Sequence, residues 1–526
     1  MDAQTSKVSP EIASCEKAVP DRLASLSIES DCSDDDFVHV DNKDTSEKNN
    51  PNCFLDREPE GLAVGLTKDW QSKLLQDPKN RLALSALSSA NPRDVLSSRA
   101  SRIADQHIFN VRIPLEGSPA TNQRSSGRCW LFASTNVFRV ALMRRYELRD
   151  FELSQAYLFF WDKLEKANYF LENAIATAGE DLDSRLVQRL FADPASDGGQ
   201  WDMVCNLVRK YGLVPQTLYP DAWNARSSAV LDYVVVGKLR EYALALRRLL
   251  SRENASPAAL RAAKEAMLRD IHAVLTLALG PPPSTTAPFV WEYVDAAGAP
   301  RRVSKTPLEF ARGINTARSA SPRDDVLDTY VSLVHDPRHH PLARLTVDRL
   351  GNVVGGRGVS YVNVDMATLK RACADMLRAG KPVFFGCDVG KFSSKEEGLM
   401  DLELFDYGLG FGVDMYRSSG REGGLDKEAR LRVGESAMTH AMVLTGVHVA
   451  EEEKGEGDER YVRWRVQNSW GAEVGDKGWF LMSDAWMDEF VYQAVVDPQF
   501  LAQEVKDVLK QEPVVLPLWD PMGSLA

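Results

Sequence analysis

Residues 122 to 130 read Asn-Gln-Arg-Ser-Ser-Gly-Arg-Cys-Trp and lead directly into an apolar-periodic segment that ends near Glu147. No Pro or Gly lies between Cys129 and Glu147, so we predict a helix that begins at Cys129. A helix N-terminus presents unpaired N–H groups and the positive end of the helix dipole, and both favour a thiolate over a thiol. The stretch therefore predicts a loop that delivers a nucleophilic cysteine.

Gln123 lies six residues before Cys129. Its side-chain amide and the backbone N–H of Cys129 can together face an oxygen that becomes negative on an attacked carbonyl. The alternative for a lone cysteine beside Trp130 is a buried structural role, because cysteine is among the most often buried residue types. A base and an orienting group elsewhere in the chain would favour the nucleophile.

Two segments near the C-terminal end contain such groups. His440 heads the strand-like run that ends at residue 444, and Asn468 follows the strand-like run 461–467. A cysteine nucleophile needs an imidazole that takes its proton and later gives it to the leaving amine, and a third group that holds the ring by its other nitrogen. The chain order Cys, His, Asn resembles that of papain-like cysteine peptidases.

The resemblance is closer to the bleomycin hydrolase branch of these peptidases and extends from Gln123 to the end of the chain. Six segments carry it: NQRSSGRCW at 122–130, ELSQAYLFFWDK at 152–163, DGGQW at 197–201, MTHAM at 438–442, QNSWG at 467–471 and LPLWDPMG at 516–523. The resemblance implies a cysteine aminopeptidase that needs no cofactor. It would hydrolyse the amide next to a free N-terminus, and bleomycin-like amides, through a thioester acyl-enzyme.

The resemblance also implies the roles of individual residues. Cys129 would attack the carbonyl, His440 would carry the proton and Asn468 would orient the imidazole. Gln123 would stabilise the oxyanion. These four positions form the catalytic set that the sequence predicts, and no metal ligand is among them.

Supporting residues follow from the same segments. Gly198 and Gly199 form a turn that allows close approach of a backbone, and the resemblance implies that they bind an extended peptide through the main chain. An ordinary loop is the alternative. Trp470 would shield the hydrogen bond of the catalytic histidine from water, and Trp130 would support the nucleophile. Both tryptophans are also compatible with core packing.

The charge of the chain is unevenly distributed. The chain has 75 acidic and 63 basic residues, a net charge of −12, and residues 1–60 hold 15 acidic and 6 basic residues, which leaves −3 for the remaining 466. This near-neutral remainder lacks the basic excess that phosphate binding requires, so we do not expect nucleic acid as a partner. Residues 1–58 are polar and acidic, which is typical of disorder.

One short piece of the acidic tail differs from its surroundings. Phe37 precedes Val40 by three residues and follows an acidic run. This pattern resembles the motif that docks onto ubiquitin-like autophagy proteins as an added β-strand. The alternative is a tail that only increases solubility.

The sequence also predicts the compartment. No apolar run reaches about 18 residues, so we expect no membrane-spanning helix. The first 20 residues lack a basic start followed by an apolar core, and their acidic residues disfavour a mitochondrial presequence. The cysteines form no CxxC pair, which suits a reducing compartment. They lie at positions 15, 32, 53, 129, 205, 373 and 387. We therefore predict a cytoplasmic protein.

These observations predict an α+β protein with a papain-like two-lobed fold. A helical lobe would hold Cys129, an antiparallel β lobe would hold His440 and Asn468, and the cleft would lie between them. The predicted divisions are a disordered acidic tail at 1–58, a helical N-terminal arm at 59–114, the helical lobe at 115–225, a mostly helical insertion at 226–345, the β-rich lobe at 346–500 and a C-terminal tail at 501–526.

The predicted insertion contains two long Ala/Leu/Arg stretches. Ser256 and Pro257 separate them as a helix cap and first helical residue. One stretch carries an arginine face that includes Arg240 and Arg247. The resemblance implies a homohexamer that the insertion helps to build. The alternative function is a hexameric scaffold or nucleic-acid-binding protein with secondary or no peptidase activity, which the intact catalytic set disfavours.

The last residues, 516–526, form the final candidate segment. Two prolines restrict the backbone, and Leu518, Trp519 and Met522 are apolar anchors, so we predict a strap that lies on a surface. The resemblance implies that the strap enters the cleft, where the carboxylate at Ala526 meets the ammonium group of the substrate. Relatives can carry one further residue that is trimmed off. A tail that merely packs is the alternative.

Overall fold

The computed structural model describes residues 61–251, 256–315, 325–415, 424–450 and 459–525. The chain divides into two compact units. The described part of the smaller unit comprises residues 61–89 and 408–413, and the larger unit comprises the other described residues. The larger unit combines many helices with one large sheet. The α+β class predicted from the sequence is therefore confirmed.

The smaller unit contains two amphipathic helices, α1 (Val64–Leu74) and α2 (Pro78–Leu87). Asp77 caps α2, because its carboxylate accepts the Lys79 backbone N–H at 2.8 Å. Pro78 occupies the first turn, where its missing N–H has no intrahelical partner to lose. Neither helix contains a buried residue.

The remaining helices lie in the larger unit, except for residues 408–411 of the helix Tyr407–Phe411, which belong to the smaller unit. They are α3 (Pro92–Val95), α4 (Arg99–Ala104), α5 (Cys129–Tyr146), α6 (Gln155–Ala176), α7 (Arg185–Ala192), α8 (Trp201–Tyr211), α9 (Trp223–Arg226), α10 (Ala229–Leu250), α11 (Pro257–Leu279), α12 (Pro307–Ala311), α13 (Val326–Thr329), α14 (Met366–Arg378), α15 (Tyr407–Phe411), α16 (Lys427–Val433), α17 (Asp484–Phe490) and α18 (Gln503–Asp507). Within the described ranges, no helix combines the length and apolarity needed to cross a bilayer.

Helix α5 is almost entirely buried. Its polar residues satisfy their hydroxyl groups internally: Ser134 donates to the Trp130 carbonyl at 2.7 Å, one turn back. The helix ends where Glu147 adopts a left-handed conformation with φ of 53°. The predicted start at Cys129 is confirmed, and the observed end at Tyr146 lies one residue before the predicted one.

Helix α6 extends well beyond its first apolar run. Ser154 caps it, because its hydroxyl accepts the Tyr157 backbone N–H at 3.1 Å. The apolar run ends at Trp161, but the helix continues to Ala176. It continues because the charged side chains after Trp161 are buried and paired inside the protein, so they do not interrupt the packed face.

Helices α10 and α11 pack against α6 and against each other. Ser256 caps α11 through the N–H of its third helical residue, as the sequence predicts. The arginine face of α10 has internal partners. Arg240 donates to the carbonyl of Ala192 at 2.8 Å, and Arg247 donates to the carbonyl of Thr177 at 2.7 Å. These carbonyls lie at the C-terminal ends of α7 and α6, where arginine satisfies otherwise unpaired acceptors.

The strands are β1 (Val111–Arg112), β2 (Phe289–Val294), β3 (Pro300–Lys305), β4 (Val331–Val334), β5 (Arg344–Val347), β6 (Tyr361–Asn363), β7 (Val383–Cys387), β8 (Ser393–Ser394), β9 (Leu399–Met400), β10 (His440–Val449), β11 (Tyr461–Gln467), β12 (Trp479–Ser483), β13 (Val491–Val496) and β14 (Val514–Leu516). Strands β2 and β3 form a hairpin. Across the described ranges the others form one mixed sheet in the order β14-β5-β6-β4-β13-β7-β10-β11-β12-β9-β8, with β1 paired to β10.

The register of the central strands places two predicted site residues together. Strand β10 is antiparallel to both of its neighbours, with His440 opposite Cys387 of β7 and Val443 opposite Gln467 of β11. The start of β10 therefore lies beside the end of β11. His440 is the first residue of β10, and Asn468 directly follows β11.

Candidate active site

The loop before α5 is held by the side chain of Arg128. Its guanidinium is fully buried and donates to both carboxylate oxygens of Asp221, each at 2.9 Å. Its Nε also donates to the Ser126 hydroxyl at 2.9 Å. A bidentate arginine–carboxylate pair has a fixed geometry. Cys129 therefore enters α5 from a firmly anchored loop.

The sulfur of Cys129 lies in a dry environment. Only 2% of the residue is exposed. Burial raises the pKa of the Cys129 thiol to about 11, although backbone hydrogen bonds from Ala441, Trp130 and Cys129 itself oppose the rise. The sequence predicted a lowered pKa from the helix N-terminus alone, and that prediction is wrong. The reason is that α5 packs against β10, so the sulfur loses the water that would solvate a thiolate.

His440 and Asn468 are joined by a hydrogen bond of 2.9 Å between Nε2 and Oδ1. The same Oδ1 accepts the Ser469 backbone N–H at 2.7 Å. A backbone N–H can only donate, so the oxygen of the Asn468 amide must face both groups. Nε2 of a neutral His440 ring therefore carries the proton, and Nδ1 is the nitrogen that can accept one.

Burial also sets the protonation of His440. It lowers the pKa of the imidazole to about 4, although the hydrogen bond to Asn468 opposes this change. The indole of Trp470 stacks on the imidazole with ring centroids 4.9 Å apart. Burial thus favours the uncharged forms of both groups, a thiol and a neutral imidazole. Such a pair can transfer the proton as the sulfur attacks, by general-base catalysis.

Gln123 is buried between the Cys129 loop and the segment that follows Asn468. Its Nε2 donates to the Ser126 carbonyl at 2.7 Å, and its Oε1 accepts the Ser469 hydroxyl at 2.6 Å. Its backbone N–H donates to the Ser469 carbonyl at 2.8 Å. Because a carbonyl can only accept, the amide orientation is fixed. The second N–H of the Gln123 amide is then available for an additional acceptor.

The glycine turn packs directly on Trp130. A Cβ added to Gly199 would lie 2.5 Å from the indole of Trp130, so a side chain does not fit there. The Trp130 indole N–H donates to the Asp197 carbonyl at 2.6 Å, and the Gly198 carbonyl accepts a hydrogen bond from Lys166 at 2.6 Å. The residue after the nucleophile is thus bound to the turn that the sequence predicted to hold substrate.

Two buried lysines of α6 also hold this turn, a role that was not predicted from the sequence. Lys163 lies 2.7 Å from Asp197, whose other carboxylate oxygen accepts the Gly127 N–H at 2.9 Å. Lys166 donates to the Ser196 carbonyl at 2.8 Å, and Asp162 neutralises its charge at 2.6 Å. The signal in the sequence was the presence of two lysines, three residues apart, within an otherwise apolar helix.

The C-terminal segment is bound along its length. Strand β14 pairs in parallel with β5. Arg338 donates to both carboxylate oxygens of Asp520, and Tyr361 donates to the Met522 carbonyl at 3.2 Å. Further along, the Ser524 carbonyl accepts the side-chain amide of Gln200 at 2.6 Å. Gln200 directly follows the glycine turn, so the strap predicted from the sequence reaches that turn.

Three of the residues singled out from the sequence cannot be placed. Ala526, Phe37 and Val40 lie outside the described residues. The other predicted site residues fall into two groups within the larger unit. In the first group, Cys129 receives a backbone hydrogen bond from the residue after His440, Asn468 and Trp470 contact His440, and Gln123 contacts the residue after Asn468. In the second group, Trp130 packs on the turn that contains Gly198 and Gly199.

Comparison with known proteins identifies the family. Residues 61–523 match the model of the Peptidase C1-like family. The chain belongs to this family. Bleomycin hydrolase from Homo sapiens is 41% identical over 459 residues, which cover 86% of this chain and 96% of that protein. The mitochondrial cysteine proteinase 1 of Saccharomyces cerevisiae is 40% identical over 483 residues, covering 90% and 95% respectively.

A solved structure extends the likeness to the fold. The crystal structure of PepW from Lactobacillus rhamnosis HN001 superimposes with a TM-score of 0.81 at 38% identity. The alignment covers 89% of this chain and 99% of that one. The fold is thus that of the papain-like Peptidase C1-like family, and the protein is a cysteine peptidase homologous to bleomycin hydrolases.

Proposed function

We propose that this cysteine peptidase is an aminopeptidase of bleomycin hydrolase type. One observation supports the restriction to N-terminal residues: the C-terminal strap is bound at Ser524 by Gln200, directly beside the glycine turn. A strap in this position occupies room that a longer N-terminal extension of the substrate would need. The bleomycin hydrolase name of the human relative adds bleomycin-like amides to the proposed substrates.

In the proposed reaction, the sulfur of Cys129 attacks the carbonyl of the first peptide bond while Nδ1 of His440 takes the thiol proton. The free N–H of Gln123 and the Cys129 backbone N–H stabilise the oxyanion. His440 then gives the proton to the leaving amine, and a thioester remains on Cys129. Water, deprotonated by His440, hydrolyses the thioester and releases the N-terminal residue.

The proposed role of the strap is electrostatic as well as steric. A free N-terminus carries an ammonium group at neutral pH. The carboxylate of Ala526 would pair with it in a partly dry cleft and place the first amide near Cys129. An N-acetylated peptide has no ammonium group, so it loses this contact. Selection for a free N-terminus follows from the same pairing.

Removal of the strap tests the proposal. Deleting residues 523–526 should slow the release of single residues from peptides with a free N-terminus and should permit cleavage inside N-acetylated peptides. Mass spectrometry of the products from a matched library of free and acetylated peptides measures both changes. Pretreatment with iodoacetamide measures the background cleavage that does not depend on a free cysteine. An unchanged cleavage pattern after the deletion would show that another element selects the N-terminus.

Assembly and location also belong to the proposal. The resemblance to bleomycin hydrolases supports a homohexamer, which sedimentation equilibrium would test directly. A cytoplasmic location rests on the sparse cysteine set, which forms no CxxC pair. Because the yeast relative carries a mitochondrial name, cell fractionation against mitochondrial markers is the appropriate test.

A further inference from the structure

Gln200 lies between the glycine turn and helix α8. It directly follows Gly199 and precedes the first residue of α8, with an extended backbone at φ −128° and ψ 164°. Its side chain is not used to cap this helix. Instead, Nε2 donates to the carbonyl of Ser524 at 2.6 Å, and only 1% of Gln200 is exposed. A buried glutamine therefore binds the main chain of the strap.

The contact fixes the direction of the glutamine amide. The Ser524 carbonyl can only accept, so Nε2 must face the strap. Among the described residues, Oε1 of Gln200 is buried without a hydrogen-bond partner. Burying an unpaired acceptor is unfavourable. The Gln200 amide therefore keeps its hydrogen bond to the strap although its oxygen is left without a described partner.

The backbone beneath Gln200 is held rigidly. Lys166 donates to the carbonyls of Ser196 and Gly198 at 2.8 and 2.6 Å. Its side chain is 5% exposed, and the buried Asp162 at 2.6 Å balances its charge. Gln200 therefore extends from a turn whose preceding carbonyls are fixed by a buried ion pair. Because this turn is held rigidly, the Gln200 side chain can hold the strap at a fixed distance from the turn.

The other described polar contacts of the strap lie farther from its end, whereas Leu525 packs on the surrounding apolar residues. Arg338 binds Asp520, and Tyr361 binds the Met522 carbonyl. These contacts bind residues 520 and 522, which precede Ser524 in the chain. Gln200 belongs to the turn beside Trp130, next to the proposed nucleophile. It is therefore the side chain that binds the strap main chain beside this turn.

We propose that Gln200 is a specificity-determining positioning residue, which holds the strap at the depth that limits cleavage to the first residue of a substrate. This inference rests on the proposed aminopeptidase function and adds the side chain that enforces it. Gln200 acts through the strap and does not touch the reacting atoms. Its loss should change which peptides are cut more than how fast Cys129 reacts.

The isosteric change Gln200→Glu tests the idea, because a carboxylate cannot donate to the Ser524 carbonyl and repels it. We expect the ratio of kcat/KM for an N-acetylated peptide to that for the free peptide to rise roughly tenfold. Gln200→Met removes the donor without adding charge and should change the ratio in the same direction. Gln188→Glu is the matched control, because this exposed glutamine donates to the Leu182 carbonyl at 2.7 Å, outside the cleft.

A double-mutant cycle separates positioning from a general structural effect. In the protein without residues 523–526, Gln200→Glu should leave the ratio unchanged, since its target is gone. The rate of Cys129 alkylation should match that of the wild type in every variant. An unchanged ratio in both Gln200 variants, or an equal effect with and without the strap, would overturn the inference. The proposed function itself would fail separately, if the wild type did not prefer a free N-terminus.

Discussion

The indole of Trp470 stacks on the imidazole of His440, with the ring centroids 4.9 Å apart and the ring planes inclined by 30°. Phe480 packs edge-on against the same indole, with centroids 5.6 Å apart. The tryptophan thus covers the histidine and keeps water from its hydrogen bond to Asn468. This cover is a physical reason for the lowered pKa of His440, because burial disfavours the charged imidazolium.

Trp470→Ala should move the acid limb of the pH–rate profile. The imidazole must be neutral to accept the thiol proton, so kcat/KM falls as the pH falls through the pKa of His440. In the wild type this pKa is about 4, and exposure of the ring should raise it toward its ordinary value of 6.5. Trp470→Ala should therefore lose activity in mildly acidic buffer, in which the wild type remains active.

Trp470→Phe is the control for this shift, since it retains a ring over the imidazole. Steady-state kinetics across pH measures both variants. An acid limb that stays in place in Trp470→Ala would show that the indole does not control the protonation of His440.

Gln123→Ala should raise the barrier by about 2.7 to 4 kcal/mol if the residue donates to the oxyanion. The effect should appear in kcat rather than KM, because the oxyanion exists only in the transition state. Gln123→Glu keeps the acceptor for the Ser469 hydroxyl but removes the donors. It should therefore be as slow as the alanine variant. A rate near that of the wild type in Gln123→Glu would exclude the oxyanion role.

Asp221→Ala should destabilise the fold by about 3 to 5 kcal/mol, because it leaves the buried Arg128 without its partner. Urea unfolding measures this loss. The control is Asp328→Ala, whose partner Arg209 is partly exposed. That variant should lose no more than about 1 kcal/mol. Equal effects of the two changes would mean that the Arg128 pair does not anchor the nucleophile loop.

Iodoacetamide should label Cys129 before the other described cysteines. Burial raises the pKa of all four thiols, but that of Cys129 rises least, to about 11, because backbone hydrogen bonds stabilise its thiolate. Peptide mapping over time measures the order, with Cys15, Cys32 and Cys53 counted separately because they lie outside the described residues. Faster labelling of Cys205 or Cys387 would contradict the smaller rise of the thiol pKa at Cys129.

The sequence was sufficient for features that depend on local pattern. The start of α5 at Cys129, the cap at Ser256 and the strands that precede Asn468 and follow His440 were all predicted, because periodicity and capping residues encode them directly. The α+β class followed from the same elements. The strap at 516–525 was also predicted from its prolines and apolar residues, but the predicted anchor Trp519 is 37% exposed and contacts Arg185 instead of the core.

Features that depend on distant partners were not predictable. Arg128 pairs with Asp221, which is 93 residues away in the sequence. Lys163 of α6 pairs with Asp197, which lies in the turn between α7 and α8. The pKa of Cys129 was predicted in the wrong direction, because the helix N-terminus is visible in the sequence whereas burial against β10 is not. The partners of the arginine face of α10 were also not predictable, because Arg240 and Arg247 bind carbonyls at the ends of helices that are distant in the chain.

Measuring turnover by Cys129→Ala tests most directly whether Cys129 is the nucleophile. The wild type and the variant are given one peptide with a free N-terminus and its N-acetylated form, and the products are analysed by mass spectrometry. We predict that the wild type releases single residues from the free peptide, whereas the variant, with the same unfolding transition, releases none. His440→Ala should be nearly as slow, and Asn468→Ala should lose less. Near-normal turnover by Cys129→Ala would contradict the assignment of Cys129 as the nucleophile.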